Sequence, residues 1–159
     1  MLHANGAWHV DCEGKWGMKE SAVLLQDIMT KSVRAIGPTA TLEDARALMR
    51  ETGIHHLVVI KAGHIAGVLS SRDCDRVHED AQSDDRWTVE ELMTSRVIVA
   101  SPDMTVGEAA RLLRGYTIGC VPVVDGKDLV GIVTTSDLLD LLAKKPRRRS
   151  GPDPQLIRS

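Results

Sequence analysis

The residues with the clearest chemical potential occur twice. Gly67-Val-Leu-Ser70-Ser-Arg-Asp73 and Gly131-Ile-Val-Thr134-Thr-Ser-Asp137 share one pattern: glycine, two apolar residues, a hydroxyl, two further residues and an aspartate. The pattern sets the hydroxyl where an apolar strand stops and the carboxylate in the first turn of the helix that follows. A helix start offers free amides and the positive end of the dipole, which suit a phosphate. A carboxylate accepts from two donors at once, which suits the vicinal diol of a ribose, at about 1.5–3 kcal/mol per charged hydrogen bond. Phosphate and diol together describe a nucleotide. The same residues also read as helix N-caps, the Ser or Thr oxygen taking an amide proton and the acid three residues on returning the bond. A single copy would favour capping, the commoner use; two copies in register move the balance toward a ligand. Arg72, beside Asp73, adds a cation able to meet a phosphate chain where the second copy has the neutral Ser136, and otherwise reads as a solvated side chain.

Other chemistry finds less support. His3, His9, Asp11 and Cys12 cluster near the start and His55-His56 stand together, but no paired Cys-x2–4-Cys spacing exists for structural zinc, so no metal is expected. Cys12, Cys74 and Cys120 are odd in number and widely spaced, which argues against a disulfide framework and for a reducing, cytoplasmic setting. Cys120 reads as a small apolar residue with no base placed to lower its pKa. There is no Gly-x-Ser-x-Gly, Walker loop or Gly-x-Gly-x-x-Gly, so no catalytic residue is assigned. The run Lys144-Lys145-Pro146-Arg147-Arg148-Arg149 reads as a solvated helix end stopped by Pro146.

The elements that carry the two phrases are themselves duplicated. At an offset of 64 residues, 25–73 align with 89–137 without a gap and 12 of 49 pairs are identical, among them Met29/Met93, Thr30/Thr94, Val33/Val97, Gly67/Gly131 and Asp73/Asp137. Each copy predicts a brief strand (Val33–Ile36; Val97–Ala100) and a helix opened by a capping box (Thr41-Leu-Glu-Asp44; Thr105-Val-Gly-Glu108). A hairpin follows (Ile54–Ile60 with Ile65–Leu69; Ile118–Val124 with Leu129–Val133), turning at Ala62-Gly63 or Asp125-Gly126, and then a helix from Asp73 or Asp137. The expected fold is therefore α/β (α+β): tandem β-α-β-β-α units, each a small three-stranded sheet with helices on one side. Units of about 50 residues cannot hide an apolar face alone and must pack together. The boundaries read as a flexible N-terminal extension at 1–22, in which Met18 offers a second start, a first repeat at 23–79, an acidic linker at 80–87, a second repeat at 88–143 and a basic tail at 144–159.

Composition narrows the classes. With 43% apolar and 26% charged residues, and no Phe, the chain folds around Leu, Ile, Val, Met and Ala. Net charge is −2, from 20 basic and 22 acidic residues, which lacks the broad footprint of a nucleic-acid-coating protein. No apolar run nears the roughly 20 residues of a membrane span, and Met1–Gly17 has no signal-peptide core.

Three sets of motifs recur: Asp27-Ile-Met-Thr30 with Glu91-Leu-Met-Thr94, Ile118-Gly-Cys-Val-Pro122-Val-Val-Asp125, and the Gly…Ser/Thr…Asp phrases. Together they make residues 24–142 resemble paired cystathionine-β-synthase (CBS) domains, a Bateman module. The resemblance implies two repeats related by pseudo-two-fold symmetry that bind an adenosine-containing ligand between them. AMP, ADP, ATP, a dinucleotide and S-adenosylmethionine all occur in the family, and no cofactor is required. Carried over, Asp73 and Asp137 hold ribose hydroxyls, Ser70 and Thr134 meet ribose or phosphate, and Ile118, Gly119 and Cys120 line the adenine pocket, matched in the first copy by Ile54, His55 and His56. Val58 in place of Pro122, and His55-His56 in place of Gly119-Cys120, make the first copy's pocket bulkier and more polar. With Arg72 beside Asp73, polyphosphate is expected to favour that copy. The family further implies a ligand sensor that does no chemistry, a homodimer forming a flat disc through Leu138–Leu142 and Leu48–Met49, and a separate protein effector. Two rival readings stay open: a structural dimerisation module with degenerate pockets, and a weak nucleotide-processing enzyme.

Overall fold

The structure is a computed structural model that describes residues 8–10, 16–18, 23–77 and 87–144. The acidic linker up to residue 86 and the tail beyond Lys144 lie outside the described residues, as does most of the N-terminal extension. That extension contains one feature without a sequence signal: β1 (Trp8–Val10) pairs antiparallel with β2 (Trp16–Met18).

The first repeat runs β3 (Ala35–Ile36), α2 (Leu42–Thr52), β4 (His56–Lys61), β5 (His64–Ser70) and α3 (Ser71–Asp75), preceded by the single turn α1 (Leu25–Ile28). The second runs α5 (Val106–Gly115), β6 (Cys120–Asp125), β7 (Asp128–Thr134) and α6 (Thr135–Lys144), preceded by α4 (Val89–Leu92). Both capping boxes form: Asp44 N donates to Thr41 Oγ1 at 3.1 Å, and Glu108 N to Thr105 Oγ1 at 3.3 Å. The hairpins turn on two residues, Ala62-Gly63 and Gly126-Lys127. Helix α2 ends on Gly53 at φ +66°, and its counterpart after α5 is Thr117 at φ +55°, a branched residue in backbone space that glycine occupies without strain.

The expected three-stranded sheet is present in the first repeat, ordered β3-β4-β5 with β3 parallel to β4. In the second repeat the Val97–Ala100 strand shrinks to one parallel bridge, Ala100 to Val123. Proline explains the difference. Val58 donates its amide to Arg34 O at 3.2 Å, whereas Pro122 at the matching position has no N–H to give.

The two repeats exchange their opening segments. Leu25 N donates to Met104 O at 2.9 Å and Gln26 N to Pro102 O at 3.0 Å, so α1 docks on the second repeat; there Leu25 is fully buried in a core with Ala109, Leu113, Val121, Val123 and Val133. Reciprocally, Val89 N donates to Ala40 O at 2.9 Å and Glu90 N to Pro38 O at 2.9 Å, and Val89 enters the first repeat's core with Leu42, Ala45, Met49, Leu57, Val59 and Leu69. A seam of Val58, Cys120 and Ile132, flanked by Val33, Ile60, Ile65, Val68 and Leu129, joins the two sheets.

The strand glycines make the exchange fit. A Cβ on Gly131 would strike Met29 Sδ and lie 2.8 Å from its Cγ, and one on Gly67 would meet Met93 Sδ and Cγ in the same way. Met29/Met93 and Gly67/Gly131 are thus two halves of one contact, made across the repeats. Met49, expected on a dimer face, is only 6% exposed because it fills the first core, and Leu48 packs against that core beside it.

Candidate ligand-binding site

Each helix start that follows a hairpin is set by its acid. Thr134 donates to Asp137 Oδ2 through its amide at 2.7 Å and its hydroxyl at 2.8 Å, while Asp137 N donates to Thr134 Oγ1 at 3.3 Å. Ser70 and Asp73 repeat this at 3.0, 2.5 and 3.3 Å. The capping reading is therefore correct for both phrases. It does not exhaust them, because the cap occupies one carboxylate oxygen and fixes the other. Among the described residues Oδ1 of Asp137 carries no hydrogen bond, whereas Oδ1 of Asp73 pairs with Arg76 Nη1 at 3.4 Å. The two acids differ in how open the outer oxygen is to a further donor.

The clefts beside these acids are built across the repeats. Asp137, Thr134, Ser136 and Ile132 of the second repeat face Ile54, His55 and His56 of the first over a cleft of about 230 Å³, with Thr30, Ser32, Val33 and Arg34 on a third side. Asp73 and Val68 of the first repeat share a cleft of about 70 Å³ with Ile118, Cys120 and Pro122 of the second, closed by Thr94, Arg96, Val97 and Ile98. The segment exchange causes this crossing. Thr30 and Ile132 trade amide and carbonyl at 3.0 Å each way, and Thr94 and Val68 do so at 2.9 and 3.0 Å, which lays each opening segment beside the other repeat's acid.

Grouping the site residues repeat by repeat is accordingly corrected. His55 and His56 belong with Asp137, and Ile118 and Cys120 belong with Asp73. Ser70 serves as a cap and lines neither cleft. Arg72 lines neither as well, so it adds no cation to the Asp73 cleft, which is the smaller of the two. The segment Thr30–Arg34, with Arg34 as its cation, is not among the site residues read from the sequence, although Thr30 closes a recurring motif there. Its signal was present in the identical pairs Thr30/Thr94 and Val33/Val97, which no cap or core role had claimed.

Gly119 lies at the meeting point. A Cβ there would sit 2.5 Å from His56 Nε2, so the imidazole packs directly on the second repeat's backbone. Burial pushes the basicity of His56 down; the nearby His55 and Arg72 add to this, and the Asp73 carboxylate opposes it. Burial likewise pushes the Cys120 thiol up to about 12, helped by Asp73, which leaves it inert as a nucleophile. Among the described residues no group of three or more His, Cys, Asp or Glu is arranged to hold a metal ion, and no helix is long and apolar enough to cross a membrane.

The model of the CBS domain matches residues 25–79 and again 89–144. The chain belongs to the CBS domain family. The CBS domain-containing protein YhcV of Bacillus subtilis is 32% identical over 115 residues, 72% of this chain and 81% of that protein. L-aspartate semialdehyde sulfurtransferase of Methanosarcina acetivorans is 29% identical over 128 residues, 79% of this chain but 25% of the enzyme, so the chain spans about a quarter of that relative. The solved CBS domain pair of protein MJ0100, in complex with 5′-methylthioadenosine and S-adenosyl-L-methionine, matches with a TM-score of 0.70 at 31% identity, covering 77% of this chain and 97% of that one. The chain is a CBS domain pair, a regulatory type of module.

Proposed function

We propose that this CBS pair is a cytoplasmic sensor that reversibly binds one adenosine-containing ligand in the Asp137 cleft and performs no chemistry on it. The observation that carries this reading is the state of Asp137: one oxygen is held by Thr134 and the other has no hydrogen bond among the described residues, beside a cleft roofed by the other repeat. At about 230 Å³ the space approaches the roughly 300 Å³ at which small-ligand pockets begin. The binding of two adenosine compounds by the MJ0100 pair supports the ligand class. AMP, ADP, ATP, a dinucleotide and S-adenosylmethionine are the candidates. A ligand bridging Asp137 and Ile54–His56 favours one angle between the repeats, and a protein effector that reads that angle, or self-association, supplies the output.

A second reading applies to the Asp73 cleft alone. It holds about 70 Å³, the room of a few waters, and its acid is paired with Arg76, which favours a degenerate pocket there. The full chain should therefore bind adenosine ligands with one site per protomer in isothermal titration. Asp137→Asn, which keeps a capping acceptor but loses the charge, should weaken binding about 10–100-fold, the loss of one or two charged hydrogen bonds. Asp73→Asn should change it little. Equal affinity in all three proteins, or a raised Tm with none of the candidates, would overturn the reading.

A further inference from the structure

A second groove opens on the far side of the His55 loop, between α2 and α3. It measures about 500 Å³, and among its described lining residues Arg46, Arg50 and His55 stand with one acid, Asp75, while Met49, Ile54 and Cys74 form part of its walls. Gly53, Ile54 and His55 line this groove and the Asp137 cleft alike, so one stretch of three residues separates them. We propose that the groove binds phosphate, supplied either by the chain of a nucleotide seated over Asp137 or by a separate phosphate-bearing molecule.

The charges are placed for an anion. Arg46 donates from Nη2 to Cys74 O at 2.8 Å, which fixes its guanidinium at the groove before any ligand arrives. Arg50 makes a long, exposed ion pair to Glu43 at 3.8 Å, a weak contact that a phosphate displaces readily. A guanidinium fork matches phosphate oxygens two at a time, and apolar walls strengthen such contacts by thinning the water around them. The fold does not demand these cations. The matching positions of the second repeat carry Ala110 for Arg46, Gly119 for His55 and Leu139 for Asp75, with Arg114 and Thr135 keeping the groups of Arg50 and Ser71, and that repeat still forms the same helices and hairpin. What the first half alone adds to the groove is Arg46, His55 and Asp75, which join the Arg50 that both halves keep.

The test is isothermal titration of the full chain at low salt with adenosine, ATP and tripolyphosphate, repeated with Arg50→Gln and the charge reversal Arg50→Glu. Arg50 is exposed, so both variants should keep the wild-type Tm. If the nucleotide supplies the phosphate, ATP binds about 10-fold or more tighter than adenosine, and the variants lose most of that margin while adenosine affinity is unchanged. If a separate molecule supplies it, tripolyphosphate binds alone, additively with adenosine, and the variants lose it. The proposal is overturned if ATP binds no tighter than adenosine and tripolyphosphate does not bind, or if either preference survives both variants. This inference leans on the adenosine reading only for its first source. Tripolyphosphate binding without any adenosine binding would sink that reading and leave the groove standing, and adenosine binding without phosphate preference would do the reverse.

Discussion

His56 concentrates the physics of the seam in one side chain. Its ring packs on Gly119 and lines the Asp137 cleft, while its charge would face His55 and Arg72 as well as Asp73. Because burial lowers the folded pKa below the unfolded value of about 6.5, the unfolded chain binds the proton first. The stability that neutral His56 contributes is complete above that pH and drains away as pH falls toward the folded value. Denaturant unfolding at pH 8, 6 and 5 should show wild type losing more stability on acidification than His56→Gln; identical slopes would remove His56 from the balance. At this scale much was legible. The two Ser/Thr…Asp phrases announced both their caps and their acids, and Cys120 reads as apolar in sequence and structure alike. What stayed hidden was which acid works with which lining, because a linear reading pairs residues within a repeat and only the folded exchange pairs Asp137 with His55 and His56.

That exchange is a property of elements, and its weakest point is measurable. Met29 of the opening segment lies across Gly131 of β7, so a methyl group at 131 must push the thioether and its stem aside. Overpacking of this kind costs about 1–3 kcal/mol. Gly131→Ala should lower the unfolding midpoint accordingly, and adding Met29→Ala should recover part of the loss, a coupling that two unrelated sites would not show. Additive effects would mean that Met29 does not seat on the strand. The two longer helices of each repeat, the hairpins and the Thr41 and Thr105 capping boxes were readable, since periodicity and caps are local signals, whereas the single turns α1 and α4 were not. The third strand of the second sheet was over-read, although Pro122 stood in view: a residue without an N–H cannot donate where Val58 does. The paired β1 and β2 went unpredicted, because three-residue strands leave too short a pattern to separate from irregular chain.

At the scale of the whole molecule the two halves differ in what they leave uncovered. Leu139 and Leu142 of α6 are 60% and 63% exposed, while Leu48 and Met49 turn into the first core. The matching residue to Leu139 in α3 is Asp75, so the apolar face exists on the second repeat alone. Two large aliphatic side chains one helical turn apart cost solvation that self-association recovers, and a two-fold contact would bring α6 of one protomer against α6 of another. The charged helix pair of the first repeat would then stay open, with its groove accessible. Sedimentation equilibrium should find dimers at micromolar concentrations and monomers for the Leu139→Lys, Leu142→Lys double variant, with the Tm of the dissociated chain close to wild type because neither leucine belongs to the core clusters. Should the wild-type chain sediment as a monomer, α6 is not a self-association face, and the proposed sensor would then signal through an effector rather than through dimerisation.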